Sequence, residues 1–138
     1  MSSLQLLLLL GCAAATEQPL EQTLAPAPSS PNCVLSTAEP TDPHHIDPIK
    51  FSSTPEEAWE KLQKVIEELH RVRLITESAS YRHYVFTTGF FRFKDDVQFL
   101  LDSERKLIHF RSASRTGYSD LGVNRRRMEK IRRRMSEN

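Results

Sequence analysis

Basic residues are missing from the first 49 positions: all nineteen Lys and Arg lie at Lys50 or beyond. Glu17, Glu21, Glu39, Asp42 and Asp47 give that stretch a side-chain charge of −5, and thirteen acids against nineteen bases give the rest +6. The near-neutral total hides a polarised chain. A surface of +6 spread over a folded domain attracts anions but does not mark a nucleic-acid binder. Single-stranded nucleic acid also calls for aromatics among the basic residues, and the Arg-rich C-terminal segment has none, so nucleic acid is not an expected partner. Cysteine is scarce too. Cys12 and Cys33 allow at most one disulfide, which excludes a disulfide-stapled scaffold. No apolar run approaches the roughly 20 residues that cross a bilayer, and there is no internal repeat.

What is present begins with an address. Leu6–Leu10, opened by Leu4, runs straight into Gly11-Cys12-Ala13-Ala14-Ala15. A short apolar run ending in small residues has the shape of a secretory signal, here residues 1–11. Leu9-Leu10-Gly11-Cys12 also resembles the bacterial lipobox, in which the signal is cut before a cysteine whose thiol takes a diacylglycerol. Cys12 is then the lipidation site, and two or three acyl chains anchor stably at about 0.8 kcal/mol per buried methylene. Ala13 favours the outer membrane, so the expectation is an exported protein held to the membrane by its lipid and facing the periplasm. In a eukaryote a plastid or other membrane compartment is the alternative. Met1–Gln5 departs from the pattern in having no basic residue, and a leucine-rich terminus without an address is the competing reading. After Cys12, residues up to 30 are mostly Glu, Gln, Thr, Ala, Pro and Ser, which reads as a disordered linker with a stiff Ala25-Pro26-Ala27-Pro28 spacer.

Residues 31–138 read as one α+β domain. Pro40, Pro43 and Pro48 predict looped or extended chain over Val34–Lys50. Ser53-Thr54-Pro55-Glu56-Glu57 is a helix start, and Ala58, Leu62, Val65, Ile66 and Leu69 recur at helical spacing beside Trp59. Strands are predicted at Val72–Ser78, Tyr81–Thr88, Phe91–Leu101 (Phe91, Phe93, Val97, Phe99 and Leu101 on one face) and Lys106–Ala113. Ser119-Asp120 caps a final helix from Leu121 to about Met135. The order α-β-β-β-β-α, with short connections, predicts a four-stranded antiparallel meander with two helices packed on one face.

The same pattern places Asp95 among core positions. A buried carboxylate without a partner costs several kcal/mol, so it needs one. The candidates are Arg111, Arg115 and Arg125; a β-bulge at Asp95-Asp96 that turns both acids to water is the alternative. Arg111 to Arg125 is dense in polar groups: Arg111, Ser112, Ser114, Arg115, Tyr118, Asp120, Asn124 and Arg125 converge on one strand-to-helix connection. Forked guanidinium donors and bare helix-terminal amides suit a phosphate or carboxylate, though Asp120 at that terminus already supplies negative charge. The bland alternative is a capped turn locked by Arg–Asp pairs. Arg125-Arg126-Arg127 and Arg132-Arg133-Arg134 make the outer face of the last helix basic, which suits solvent or anionic headgroups. No spacing pairs Cys33 with a base among His44, His45, His83 and His109, and His44-His45-x-Asp47 lacks a second ligand cluster. No cofactor, metal or catalytic residue is expected.

Pro31-Asn32-Cys33-Val34, Phe93-Lys94-Asp95-Asp96-Val97 and the block from Arg111 to Arg125 together resemble the family of domain of unknown function 1499, from Pro31 to about Arg134. That resemblance implies a lipoprotein, membrane-attached or plastid-targeted context and no established activity. The functional expectation is a non-enzymatic binding or interaction module for an anionic ligand, an envelope protein or a membrane surface. Its candidate contacts are Asp95, Asp96, Arg111, Ser112, Ser114, Arg115, Tyr118, Asp120, Asn124 and Arg125. A small enzyme using Asp95 or Asp96 with Arg111 or Arg115 is the alternative.

Overall fold

The computed structural model describes residues 22–137. The expected signal peptide and the lipidated Cys12 lie outside the described residues.

Helix α1 (Pro55–Glu67) starts where its sequence closes a capping box. Thr54 Oγ1 accepts from the Glu57 N–H and the Glu57 carboxylate accepts from the Thr54 N–H, with Pro55 in the first turn. Its buried stripe is Ala58, Trp59, Leu62, Val65 and Ile66. Four long strands follow: β3 (Val72–Glu77), β4 (Tyr81–Thr87), β5 (Lys94–Asp102) and β6 (Leu107–Ser114), and helix α2 (Val123–Ser136) ends the domain. The α+β class and the antiparallel meander are as expected. The strand count is not, because β1 (Cys33–Leu35) and β2 (Ile49–Lys50) also pair with the outer edge of β6. The sheet therefore has six strands, in the order β1-β6-β5-β4-β3 with β2 further along β6. Strands of three and two residues among prolines are too short to show a period of two, which is why that stretch reads as loop.

A second correction concerns Phe91 and Phe93. The β4–β5 ladder ends at the pair Thr87–Lys94, and residues 88–93 form a loop closed by Thr88 N–H to Phe93 O (2.8 Å) and Phe93 N–H to Thr88 Oγ1 (2.9 Å). Both rings lie in solvent rather than in the core. Their spacing continues the inward parity of Val97 and Phe99, but no partner strand reaches them.

The core sits between the helices and one sheet face. Tyr84, Phe86, Val97, Phe99, Ile108 and Phe110 meet α1 and the Met128–Ile131–Met135 stripe of α2. Residues 22–30 have no regular structure but are tied at both ends. Ser78 Oγ donates to Gln22 Oε1 (3.0 Å) at the β3–β4 turn, and His44 Nε2 meets Ser30 O (2.8 Å) beside β1. Gln22 and Thr23 share a hollow with Leu100, Asp102 and His109, whose side chains belong to the sheet face away from the helices.

Candidate functional site

Asp95 keeps strand register on both sides, opposite Phe86 of β4 and Ser114 of β6, so there is no bulge and its carboxylate points under α2. It is 1% exposed. Its partner is none of the three expected arginines but Arg127, whose Nη2 donates to Asp95 Oδ2 at 2.5 Å. Arg127 also donates to Asn124 Oδ1 (2.8 Å) and Ser112 Oγ (3.2 Å), and its guanidinium lies 4.8 Å from the centre of the Phe86 ring. Ser112 Oγ donates to Asn124 Oδ1 (2.6 Å), and the Asn124 amide donates to Ser114 Oγ (3.0 Å), Asp120 Oδ2 (2.8 Å) and Asn32 O (3.3 Å). Asn32 in turn donates to Gly117 O (2.6 Å). Five of the expected site residues, Asp95, Ser112, Ser114, Asp120 and Asn124, thus form one network between sheet and helix.

Asp120 ends that network at the first turn of α2, where its carboxylate accepts from the N–H groups of Gly122 and Asn124 (both 2.9 Å). Burial alone would raise its pKa. The hydrogen bonds from Asn124 and Gly122 outweigh that and hold it below the usual carboxylate value. The bare amides that would bind an anion are therefore already occupied. Gly117 (φ 83°) and Gly122 (φ 78°) supply the left-handed backbone that folds this connection back under the helix.

The other candidates are elsewhere. Asp96, next along β5, faces the opposite side, where it accepts from Arg115 Nε (2.8 Å) and Nη2 (2.9 Å) and faces His83 Nε2 (2.7 Å). The Arg115 bonds, followed by the His83 contact, hold its carboxyl below the usual range against the effect of partial burial. Arg111 stands beside Gln98 on that same face, and its Nε has no partner. Arg125 leaves the sheet altogether: its guanidinium donates to Pro43 O (2.9 Å) and His45 O (3.0 Å) and so fastens the Pro-rich loop to α2. Asp95 and Asp96 do not share a site, and neither meets Arg111.

A hollow of about 330 Å³ lies between β1 and the β6–α2 connection, lined by Cys33, His44, Tyr118, Asp120 and Arg125 among others. Burial pushes the Cys33 thiol above its ordinary pKa, because the pull of Arg111 is weaker and Asp120 and Asp42 oppose it. It is a protonated, inward-facing thiol rather than a nucleophile. Both nitrogens of His44 face oxygens, Asp42 Oδ1 at 2.7 Å and Ser30 O at 2.8 Å. Chiefly through the Ser30 carbonyl, and then Asp42, its pKa is raised despite burial. His44 is therefore a structural clamp whose two contacts favour the protonated ring. His45 instead meets Ala38 O (2.9 Å) and Asp47 (3.3 Å), so the two histidines do not converge on one metal position.

The end of the sheet where β4 leads to β5 and β6 leads to α2 is different. Phe90 is 91% exposed, Phe91 70% and Phe93 51%, and from the adjacent connection Tyr118 is 72% and Leu121 83% exposed. Arg115 N–H donates to Lys94 O (3.0 Å), which holds the two loops side by side. Phe91 stacks on Phe93 at 5.5 Å and meets Phe90 edge-on at 5.0 Å, so the rings form a cluster. Exposed rings gathered at one end are a positive sign of contact with something else.

Sequence reasoning missed Arg127 and Asn32. Arg127 sits in an Arg run that reads as solvated surface, but it is three residues after Asn124 and four before Ile131, on the buried side of α2. That spacing was the available signal. The outer basic face is correspondingly thinner than expected, since Arg127 is turned inward onto Asp95, Arg125 ties down a loop and Arg134 pairs with Glu68. For Asn32 no sequence signal exists beyond its place in Pro-Asn-Cys. No curated protein and no solved structure matches the chain. The model of the family described as "Protein of unknown function (DUF1499)" matches residues 23–135 of the 138, and it includes the part of the N-terminal stretch that lies against the sheet. The chain belongs to that family.

Proposed function

We propose that the domain is a non-enzymatic interaction module of a lipid-anchored envelope protein, and that its working surface is the aromatic end formed by loops 88–93 and 115–121. The observation that carries this reading is the contrast between that end and the polar block. Asp95, Asp120, Asn124 and Arg127 are bonded into one network whose unpartnered oxygen, Asp95 Oδ1, is buried away from any substrate, while Phe90, Phe91, Tyr118 and Leu121 stand in water. A catalytic centre wants a group left free to meet substrate; here the exposed, uncommitted chemistry is apolar. Lipidation at Cys12 belongs to the same reading and is supported by the leucine run and Leu9-Leu10-Gly11-Cys12.

The test is photo-crosslinking in the source cell. Phe91 is replaced by a photoreactive phenylalanine analogue in the full-length chain, with Glu104 at the far end of the sheet as the control position. Adducts from position 91 and none from 104 support the reading. Equal yields, or none from 91, overturn it.

A further inference from the structure

We propose that the aromatic end inserts shallowly into an anionic lipid surface, which makes the occupant of this interaction surface a bilayer rather than another protein; this rests on the reading above. The chemistry of the loop is the first reason. Thr88-Gly89-Phe90-Phe91-Arg92-Phe93-Lys94 alternates rings with cations, and neither it nor Arg115-Thr116-Gly117-Tyr118-Ser119 contains a carboxylate. The acids that flank the loops are all engaged: Asp95 is buried on Arg127, Asp96 is neutralised by Arg115, and Asp120 is turned inward onto Gly122 and Asn124. Arg71 joins the cluster from the α1–β3 turn, its guanidinium lying beside Gly89, and Arg126 reaches back to Leu121 O (2.7 Å). Arg71, Arg92, Lys94 and Arg126 are all exposed. Rings between cations, with no exposed acid in either loop, complement a surface that is negative outside and apolar just beneath.

Shape is the second reason. Phe90, Phe91, Phe93 and Leu121, each more than half exposed, stand proud of the fold, and Tyr118 beside them borders the hollow near Cys33, so the group fits a deformable apolar phase better than a rigid partner's surface. The loop is also built in advance. Its two Thr88–Phe93 hydrogen bonds and the Phe90–Phe91–Phe93 stack leave little ordering to be done on contact. Arginine and lysine stems can lie along the rings while their heads stay at headgroup level.

Partitioning follows in magnitude. Each basic residue near an anionic surface contributes about fivefold to the partition coefficient, and each ring taken out of water contributes about tenfold to a hundredfold. Arg92→Gln with Lys94→Gln is expected to weaken binding about 30-fold, and Phe90→Ser with Phe93→Ser about a hundredfold or more.

The experiment uses the full-length chain carrying Phe91→Trp. Trp59, 7% exposed in the core, is the chain's own indole and serves as an internal reference. Emission is recorded with vesicles of phosphatidylcholine alone and with added phosphatidylglycerol, with and without bromine on the acyl chains. A blue shift and bromine quenching that require phosphatidylglycerol, weaken with salt, and fall by the stated factors in the variants support insertion. If the chain sediments with vesicles but the introduced indole is not quenched, attachment runs through another part of the chain and the proposal fails. A blue shift without lipid also overturns it. If that shift grows with concentration and the sedimentation mass doubles, the occupant is a second copy. If it is independent of concentration, the occupant is the chain's own leucine run. Either result leaves the interaction surface standing, whereas the absence of crosslinks from position 91 removes both.

Discussion

Replacing Arg127 by Met keeps the length of the side chain and removes the charge that pairs with Asp95 among the described residues. The carboxylate is 1% exposed and the arginine side chain 11%, so water does not screen the pair and cannot substitute for it. Leaving one partner of such a pair uncompensated costs about 3–5 kcal/mol. The variant also gives up hydrogen bonds to Asn124 and Ser112 and the contact over Phe86, the last worth about 0.5–2 kcal/mol. The loss should therefore reach at least about 3 kcal/mol. In urea unfolding with a slope near 1.5 kcal/mol/M, that lowers the midpoint by about 2 M or more. A double variant, Asp95→Leu with Arg127→Met, removes the orphaned charge and should recover most of the loss, because apolar replacement of a buried pair is often neutral. The double variant stays informative where the single one fails to fold. A single-variant loss below about 1 kcal/mol, or a double variant no more stable than the single, would refute a buried, mutually dependent pair.

Asp120→Ala removes the acceptor for the Gly122 and Asn124 amides at the start of α2 and should cost about 1–2 kcal/mol, read as a lower urea midpoint. No change there means that the connection is held without it. The His44 clamp gives a pH signature. Its pKa is raised above the ordinary 6.5, so its contribution is complete below that value and is lost as pH rises through the higher folded value. Amide exchange around Ser30 and Asn32, corrected for intrinsic rate, should accelerate as pH rises above 6.5, and Asp42→Asn should move the onset lower; a flat profile would show that the clamp does not depend on charge. Phe90→Ser with Phe91→Ser should change stability by less than about 0.5 kcal/mol per site, since neither ring packs in the core. A fall of 2 kcal/mol or more would mean that these rings belong to the fold.

Much of the fold could be read from the sequence because its signals are local. The Thr54–Glu57 box, the Leu62–Ile66 stripe and the β3–β6 alternation all lie within a few residues of one another. What could not be read depends on partners far along the chain. β1 and β2 exist only because β6, more than fifty residues later, offers them an edge. Phe91 looks like a strand residue until the ladder partner runs out at Thr87. The density of polar groups from Arg111 to Arg125 was visible, and so was the need of Asp95 for a cation, but the identity of that cation required the three-dimensional crossing of α2 over β5. The aromatic end was legible only as three phenylalanines near one another; that they face water is a property of the turn, not of their spacing.

The most direct test of the working surface is hydrogen exchange of the full-length chain, recorded in isolated source-cell envelopes and again in detergent-free buffer. The account predicts added protection at residues 88–93 and 115–121, with the hollow beside Cys33 and His44 unchanged. Protection centred on that hollow, or on the sheet face around His109 and Arg111, with loops 88–93 unaffected, would contradict it.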